Sequence, residues 1–136
     1  MQDEYFGTVS ELDKEYIVAK ILEDVKGRML EDMVLLETYK SVSRNEEVFK
    51  FKFDSGGEYD MVIYDKKKHT CRLFEVKHST QVAERQMRYL KDAEKCKTVE
   101  TKYGVITGKY VLYRGENKMV EGVQYLNVEQ FLCEFK

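Results

Sequence analysis

The sequence predicts a mixed α/β domain, a sheet flanked by helices. Three observations point there. Two stretches that alternate apolar and polar residues, Gly56 to Asp65 and Cys71 to Ser79, flank a polar turn and read as a β-hairpin. A long run ahead of them carries apolar residues at spacings of three and four. A second helix-forming run separates the hairpin from Tyr103-Gly104-Val105-Ile106, which permits a crossover and therefore parallel pairing in the sheet centre.

Residues Met1 to Ser10 lack periodicity and read as a leader or linker, leaving 11–136 as a single domain. From Glu11 to about Tyr39, apolar residues recur at Ile17, Val18, Ile21, Leu22, Val25, Met29, Met33, Val34 and Leu36, the period of an amphipathic helix, with Gly27 a candidate break into two pieces. Val48 to Phe53 alternates with lysine and predicts a strand that sets Phe49, Phe51 and Phe53 on one face. Through the turn Asp54-Ser55-Gly56-Gly57 it feeds the hairpin, giving three consecutive antiparallel strands. Thr80 is a candidate cap for a helix from Gln81 to about Cys96, with Val82, Gln86, Tyr89, Leu90 and Ala93 on one side. Lys102 to Thr107 and Tyr110 to Tyr113 read as two strands separated by Gly108, Val123 to Val128 as another, and Glu129 to Glu134 as a short helix burying Phe131 and Leu132.

A chain of 136 residues with 43% hydrophobic content suits one globular domain with a real core. Its net charge of −2 argues against a protein that coats nucleic acid, although 35% charged residues leave room for a local groove. Cys71, Cys96 and Cys133 form no Cys-x-x-Cys pair and have only two histidines for company, so free thiols are expected rather than a disulfide framework or a zinc site. No apolar run near ~18 residues and no signal peptide appears, and a cytoplasmic protein without a membrane segment is expected.

The hairpin carries the chemistry. With a period of two, Tyr59, Met61 and Ile63 point one way and Glu58, Asp60, Val62 and Tyr64 the other; Arg72, Phe74 and Val76 share one face of the next strand, and Cys71, Leu73, Glu75 and Lys77 the opposite one. If Met61, Ile63, Phe74 and Val76 pack into one core, Asp60, Glu75 and Lys77 are left together. Paired carboxylates are the hard ligands that Mg²⁺ or Mn²⁺ prefers, and a neighbouring lysine can orient water and offset charge on a reacting phosphate.

Asp60, fourteen intervening residues and Glu75-Val76-Lys77 resemble the signature of the PD-(D/E)XK nuclease superfamily. More narrowly, Gly27-Arg28-Met29-Leu30-Glu31, Gly57-Glu58-Tyr59-Asp60, Glu75-Val76-Lys77-His78-Ser79 and Lys109-Tyr110-Val111-Leu112-Tyr113-Arg114-Gly115 are similar, in order and spacing, to the nuclease-like C-terminal domain of prokaryotic P-loop ATPases. The resemblance implies a restriction-endonuclease-like mixed β-sheet flanked by helices. It also implies Mg²⁺ or Mn²⁺ at Asp60 and Glu75, Lys77 as the catalytic lysine, and Glu31 on the first helix reaching toward the metal. Gln86, within Gln86-Met87-Arg88-Tyr89, resembles the glutamine-plus-aromatic element of RecB-like nucleases, though with a shorter spacing than Gln-x-x-x-Tyr. Position alone reads Glu31 as a solvated helix glutamate, and Gln86 reads equally as a helix-surface amide. No Gly-x-x-x-x-Gly-Lys-[Ser/Thr] is present, so the chain itself should not bind ATP, and any P-loop ATPase would be a module in cis.

Two functions follow as expectations. One is a metal-dependent nuclease acting on nucleic acid, DNA first, with Lys67, Lys68, Arg85 and Arg88 as candidate backbone contacts. The other is a catalytically silent module that keeps the fold to recognise DNA, a partner or an oligomer interface. A surface salt-bridge cluster at Asp60, Glu75 and Lys77 is the plainer alternative to both.

Overall fold

A computed structural model of the chain describes residues 11–81 and 87–134. The expected leader, Met1 to Ser10, lies outside them, as do Val82, Arg85 and Gln86.

Helix α1 (Glu11–Ser41) runs unbroken through Gly27. Glycine in a helix costs up to ~1 kcal/mol relative to alanine but does not forbid the conformation, and no proline interrupts the run. The buried face also differs from the expected stripe. Leu30, Val34 and Thr38, one turn apart, are buried, whereas Ile17, Val18, Ile21, Val25, Met29, Met33 and Leu36 are exposed. Spacing identifies an apolar stripe, but on a helix with two such stripes it does not say which one meets the sheet.

Strands β1 (Glu46–Lys52), β2 (Glu58–Asp65) and β3 (Thr70–Val76) form the expected antiparallel meander. After β3 come the short helix α2 (Arg88–Lys91) and α3 (Ala93–Tyr103). Asp92 divides the two: it adopts extended dihedrals, and its carboxylate accepts the N–H groups of Glu94 at 3.0 Å and Lys95 at 3.1 Å. Helix α3 therefore runs past Cys96, and residues 102 and 103, expected in a strand, belong to its last turn. Gly104 ends it at φ +83°, with a Cβ there falling 1.8 Å from the His69 carbonyl oxygen, so only glycine fits.

Strand β4 (Val105–Tyr113) is one strand rather than two; a register shift between Cys71 and Arg72 accommodates the extra residue near Gly108. A short strand β5 (Lys118–Val120), β6 (Val123–Asn127) and helix α4 (Val128–Glu134) complete the chain. The mixed sheet has the order β1-β2-β3-β4-β6-β5, with β4 parallel to both β3 and β6 and the remaining pairs antiparallel.

Helices cover both faces of this sheet, so its central strands are buried on both sides rather than on one. Met61, Ile63, Phe74, Val76 and Leu112 pack with Leu30 and Val34 of α1 and Val128 of α4. Val62, Leu73, Cys71 and Val111 pack with Leu90, Cys96 and Val99 beneath α2 and α3, joined by Phe49 and Phe51 of β1 and by Phe53 just after it. The uninterrupted Met61-Val62-Ile63 run carries this signal. All three cysteines are free. Among the described residues no helix is long and apolar enough to cross a membrane.

One irregularity matters for the site. Val62 pairs with Phe49 but Tyr59 with Phe51, so β2 has one more residue than β1 across this interval, a bulge at Asp60 and Met61. Strict alternation assigns Tyr59 to the Met61 face; the bulge turns it to the opposite core, beside Val62 and Leu73.

Candidate functional site

The bulge is where the hairpin opens. The β2–β3 pairing begins at Met61 opposite Phe74, and one residue further on the Asp60 carboxylate enters the gap, its Oδ2 accepting the Val76 N–H at 2.8 Å. On its other edge β3 stays bound to β4, through the Lys77 N–H donating to the Leu112 carbonyl at 2.8 Å. Glu75 and Lys77 therefore emerge from a strand that is anchored on one side and released on the other.

The opening is the floor of a cleft of about 440 Å³ lined by Glu31, Gly57, Glu58, Asp60, Glu75, Lys77, Arg88 and Tyr89. Glu31 enters from α1, on one face of the sheet, and Arg88 and Tyr89 from α2, on the other. The Tyr59 hydroxyl donates to the Tyr89 carbonyl at 2.7 Å and ties α2 to β2. Gly57, at φ +92°, lies under the Tyr89 ring, and a Cβ on it would fall 2.6 Å from that ring. Arg88 donates to the Tyr89 hydroxyl at 2.9 Å, so its guanidinium sits at the rim.

Charge in the cleft is mostly negative. Glu75 is only 4% exposed, and its Oε1 is buried with no hydrogen-bond partner. Oε2 lies 3.9 Å from the Lys77 ammonium. Burial, then the Asp60 carboxylate beside it, push the Glu75 carboxyl up to about 9, against the opposing pull of Lys77. Burial and then Asp60 likewise raise the Glu31 carboxyl, although Lys50 of β1 lies 3.5 Å away. Burial would lower the Lys50 ammonium, yet Glu58, Glu31 and Asp60 outweigh it and raise it. Four carboxyl groups, Glu31, Glu58, Asp60 and Glu75, thus share one cleft, where Glu75 keeps its proton past neutrality.

Such a set fits a hard divalent cation. The donors are all oxygen, one of them is buried and orphaned, and the carboxyl that carries it resists ionising because it is buried and faces the Asp60 carboxylate. Among the described residues no three His, Cys, Asp or Glu side chains already stand close enough to enclose an ion. Mg²⁺ is commonly held by one or two carboxylates, with water and phosphate completing its shell, and an open pair suits that habit.

Of the residues singled out from the sequence, Glu31, Asp60, Glu75, Lys77 and Arg88 line one cleft. Lys67 and Lys68 do not join them: they occupy the hairpin turn, where their N–H groups donate to Asp65 Oδ1, at the opposite end of β2, on the order of 20 Å away. Gln86 and Arg85 fall outside the described residues. Lys50 and Glu58 are near-cleft and cleft residues that sequence reasoning did not place in the site, while Tyr89, the aromatic of the Gln86-Met87-Arg88-Tyr89 element, does line the cleft. Lys50 alternates with the three phenylalanines of β1, which indicates the α1-facing side of that strand, but only the packing of α1 across it brings Glu31 alongside.

A family model described as a domain of unknown function, DUF4143, matches residues 26–131. No curated protein and no solved structure matches the chain.

Proposed function

The chain belongs to the DUF4143 family, domains found at the C-terminus of AAA-type ATPases, and on that premise we propose that its cleft hydrolyses phosphodiester bonds in nucleic acid, DNA first, with Mg²⁺ or Mn²⁺. The observation that carries this reading is the convergence of Asp60, Glu75 and Lys77 at the opened end of the hairpin, with Glu31 facing them from α1. The resemblance of the same residues to the PD-(D/E)XK pattern supports it.

Asp60 and Glu75 would hold the cation, with Glu31 reaching it from the side. The ion would supply Lewis-acid polarisation of the scissile phosphate. Lys77, 29% exposed at its side chain and 3.9 Å from the Glu75 carboxyl, donates to the attacking water or to a phosphate oxygen and offsets charge that builds there. The water oxygen bonds to phosphorus and releases a proton to solvent, the ester bond to the leaving strand breaks, and the leaving oxygen takes up a proton from solvent. Arg88 at the rim pairs with a neighbouring backbone phosphate.

The test is cleavage of single-stranded and duplex DNA and of RNA with Mg²⁺ or Mn²⁺, comparing the parent with Asp60→Ala, Glu75→Ala and Lys77→Ala. Each variant should lose at least about a hundredfold in rate with parent-like circular dichroism. Undiminished cleavage by a well-folded Glu75→Ala protein overturns the proposal. A second reading, a silent recognition module on an ATPase in cis, is favoured by one observation, the absence of a basic excess: the whole chain carries a net charge of −2 and the cleft is rich in carboxyl groups. Absence of cleavage by the parent on every substrate, together with no binding of Mn²⁺ by the parent with or without DNA, would select it.

A further inference from the structure

Helix α1 has a second apolar face. At about 100° per residue, Val18, Ile21, Val25, Met29, Met33, Leu36 and Tyr39 fall on one side, opposite Leu30, Val34 and Thr38, which bind the sheet. Every residue of that stripe is at least 45% exposed. Together they present on the order of 700 Å² of surface, close to the ~800 Å² per partner of a standard-size interface. A stripe of this extent on one helix is far from the scattered exposed residues normal for a surface.

We propose that this face joins two copies of the chain through antiparallel pairing of their α1 helices. Three features select a second copy. The stripe is straight and lies on the side of α1 away from the sheet, so two helices meet along it with both sheets outward and no rearrangement. Its flanking charges are self-complementary. A two-fold axis perpendicular to the helices near Leu30 brings the same flank of each helix together and sets Arg28 of each copy beside Asp32 of the other; both are exposed and on one flank. The same register places Ile21 of one copy against Tyr39 of the second, next to a groove of about 220 Å³ lined by Asp32, Leu35, Leu36, Tyr39 and Val48. The forward half of α1, whose described side chains join neither core before Leu30, thereby gains a packing partner.

Sedimentation velocity on the full 136-residue chain between ~10 and ~200 μM tests this, a span that covers dissociation constants in the micromolar range. The parent sediments as a dimer at the upper concentration. Met29→Glu, at the centre of the stripe, sediments as a monomer with unchanged circular dichroism. Arg28→Asp weakens association by about tenfold, because two symmetric rim pairs become repulsive, and adding Asp32→Arg restores it to within about threefold. A parent that stays monomeric at ~200 μM overturns the proposal and leaves the stripe to another occupant, such as an ATPase module in cis. So does a dimer that survives Met29→Glu, or a double variant that fails to recover.

Discussion

Glu75→Gln in metal-free buffer isolates the electrostatic character of the cleft. The carboxyl ordinarily titrates near 4.5 and in the folded protein is held up to about 9, first by burial and then by Asp60. The folded state therefore keeps its proton where the unfolded state has lost it. This contribution to stability is fully present below pH 4.5 and is lost as pH rises toward 9. Each pH unit in that window costs about 1.4 kcal/mol, on the order of 3 kcal/mol by pH 7. Glutamine does not titrate, so it escapes this loss, although its buried amide adds a constant penalty of about 1–3 kcal/mol for an unpaired polar group. The pH dependence is the clean signal. The stability difference between variant and parent, from urea unfolding with EDTA, should move in favour of the variant by more than about 2 kcal/mol between about pH 5.5 and pH 8. A difference that stays flat across that range would refute the reasoning, because the parent's Glu75 would then ionise like an ordinary glutamate. Divalent cation added at about pH 8 should raise the parent's melting temperature and leave that of Glu75→Gln unmoved.

Gly57→Ala should destabilise the domain by about 1–3 kcal/mol in urea unfolding, since its φ of +92° and the Tyr89 ring, 2.6 Å from where a Cβ would stand, both oppose a side chain. It should also displace Tyr89, visible as a change in near-ultraviolet circular dichroism. Gly27→Ala should do the reverse and stabilise by about 0.5–1 kcal/mol, because the residue lies within α1 and a Cβ there meets nothing within 4 Å. Phe74→Ala should cost about 3–5 kcal/mol, as the ring is fully buried and stacks on Tyr110 at 4.8 Å.

Much of the sheet was legible because its strands obey a period of two and its turns are rich in glycine and charge. The β1–β2–β3 meander and the parallel β3–β4 pairing across a helical connection both follow from that patterning. Local signals failed where the decision was tertiary. Tyr59 changes face because β2 carries a bulge, which no alternation rule encodes. Met29 and Val34 satisfy the same helical spacing, yet only Val34 meets the sheet. At the site, Asp60, Glu75 and Lys77 were readable from their strand positions, while Lys50 and Tyr89 depend on how α1 and α2 lie across the sheet. Lys67 and Lys68 looked suitable by charge alone; their place at the far end of the hairpin separates them from the cleft.

The Asp60 carboxylate that bridges the gap in the ladder also makes one backbone proton a reporter. Because the Val76 amide gives its hydrogen to a side chain of the cleft rather than to a backbone carbonyl of the neighbouring strand, its resonance in a nuclear magnetic resonance spectrum and its rate of exchange with solvent follow whatever Asp60 is bound to. A cation or a phosphate entering the cleft would register on that single amide before any strand is cut, which makes occupancy readable independently of turnover.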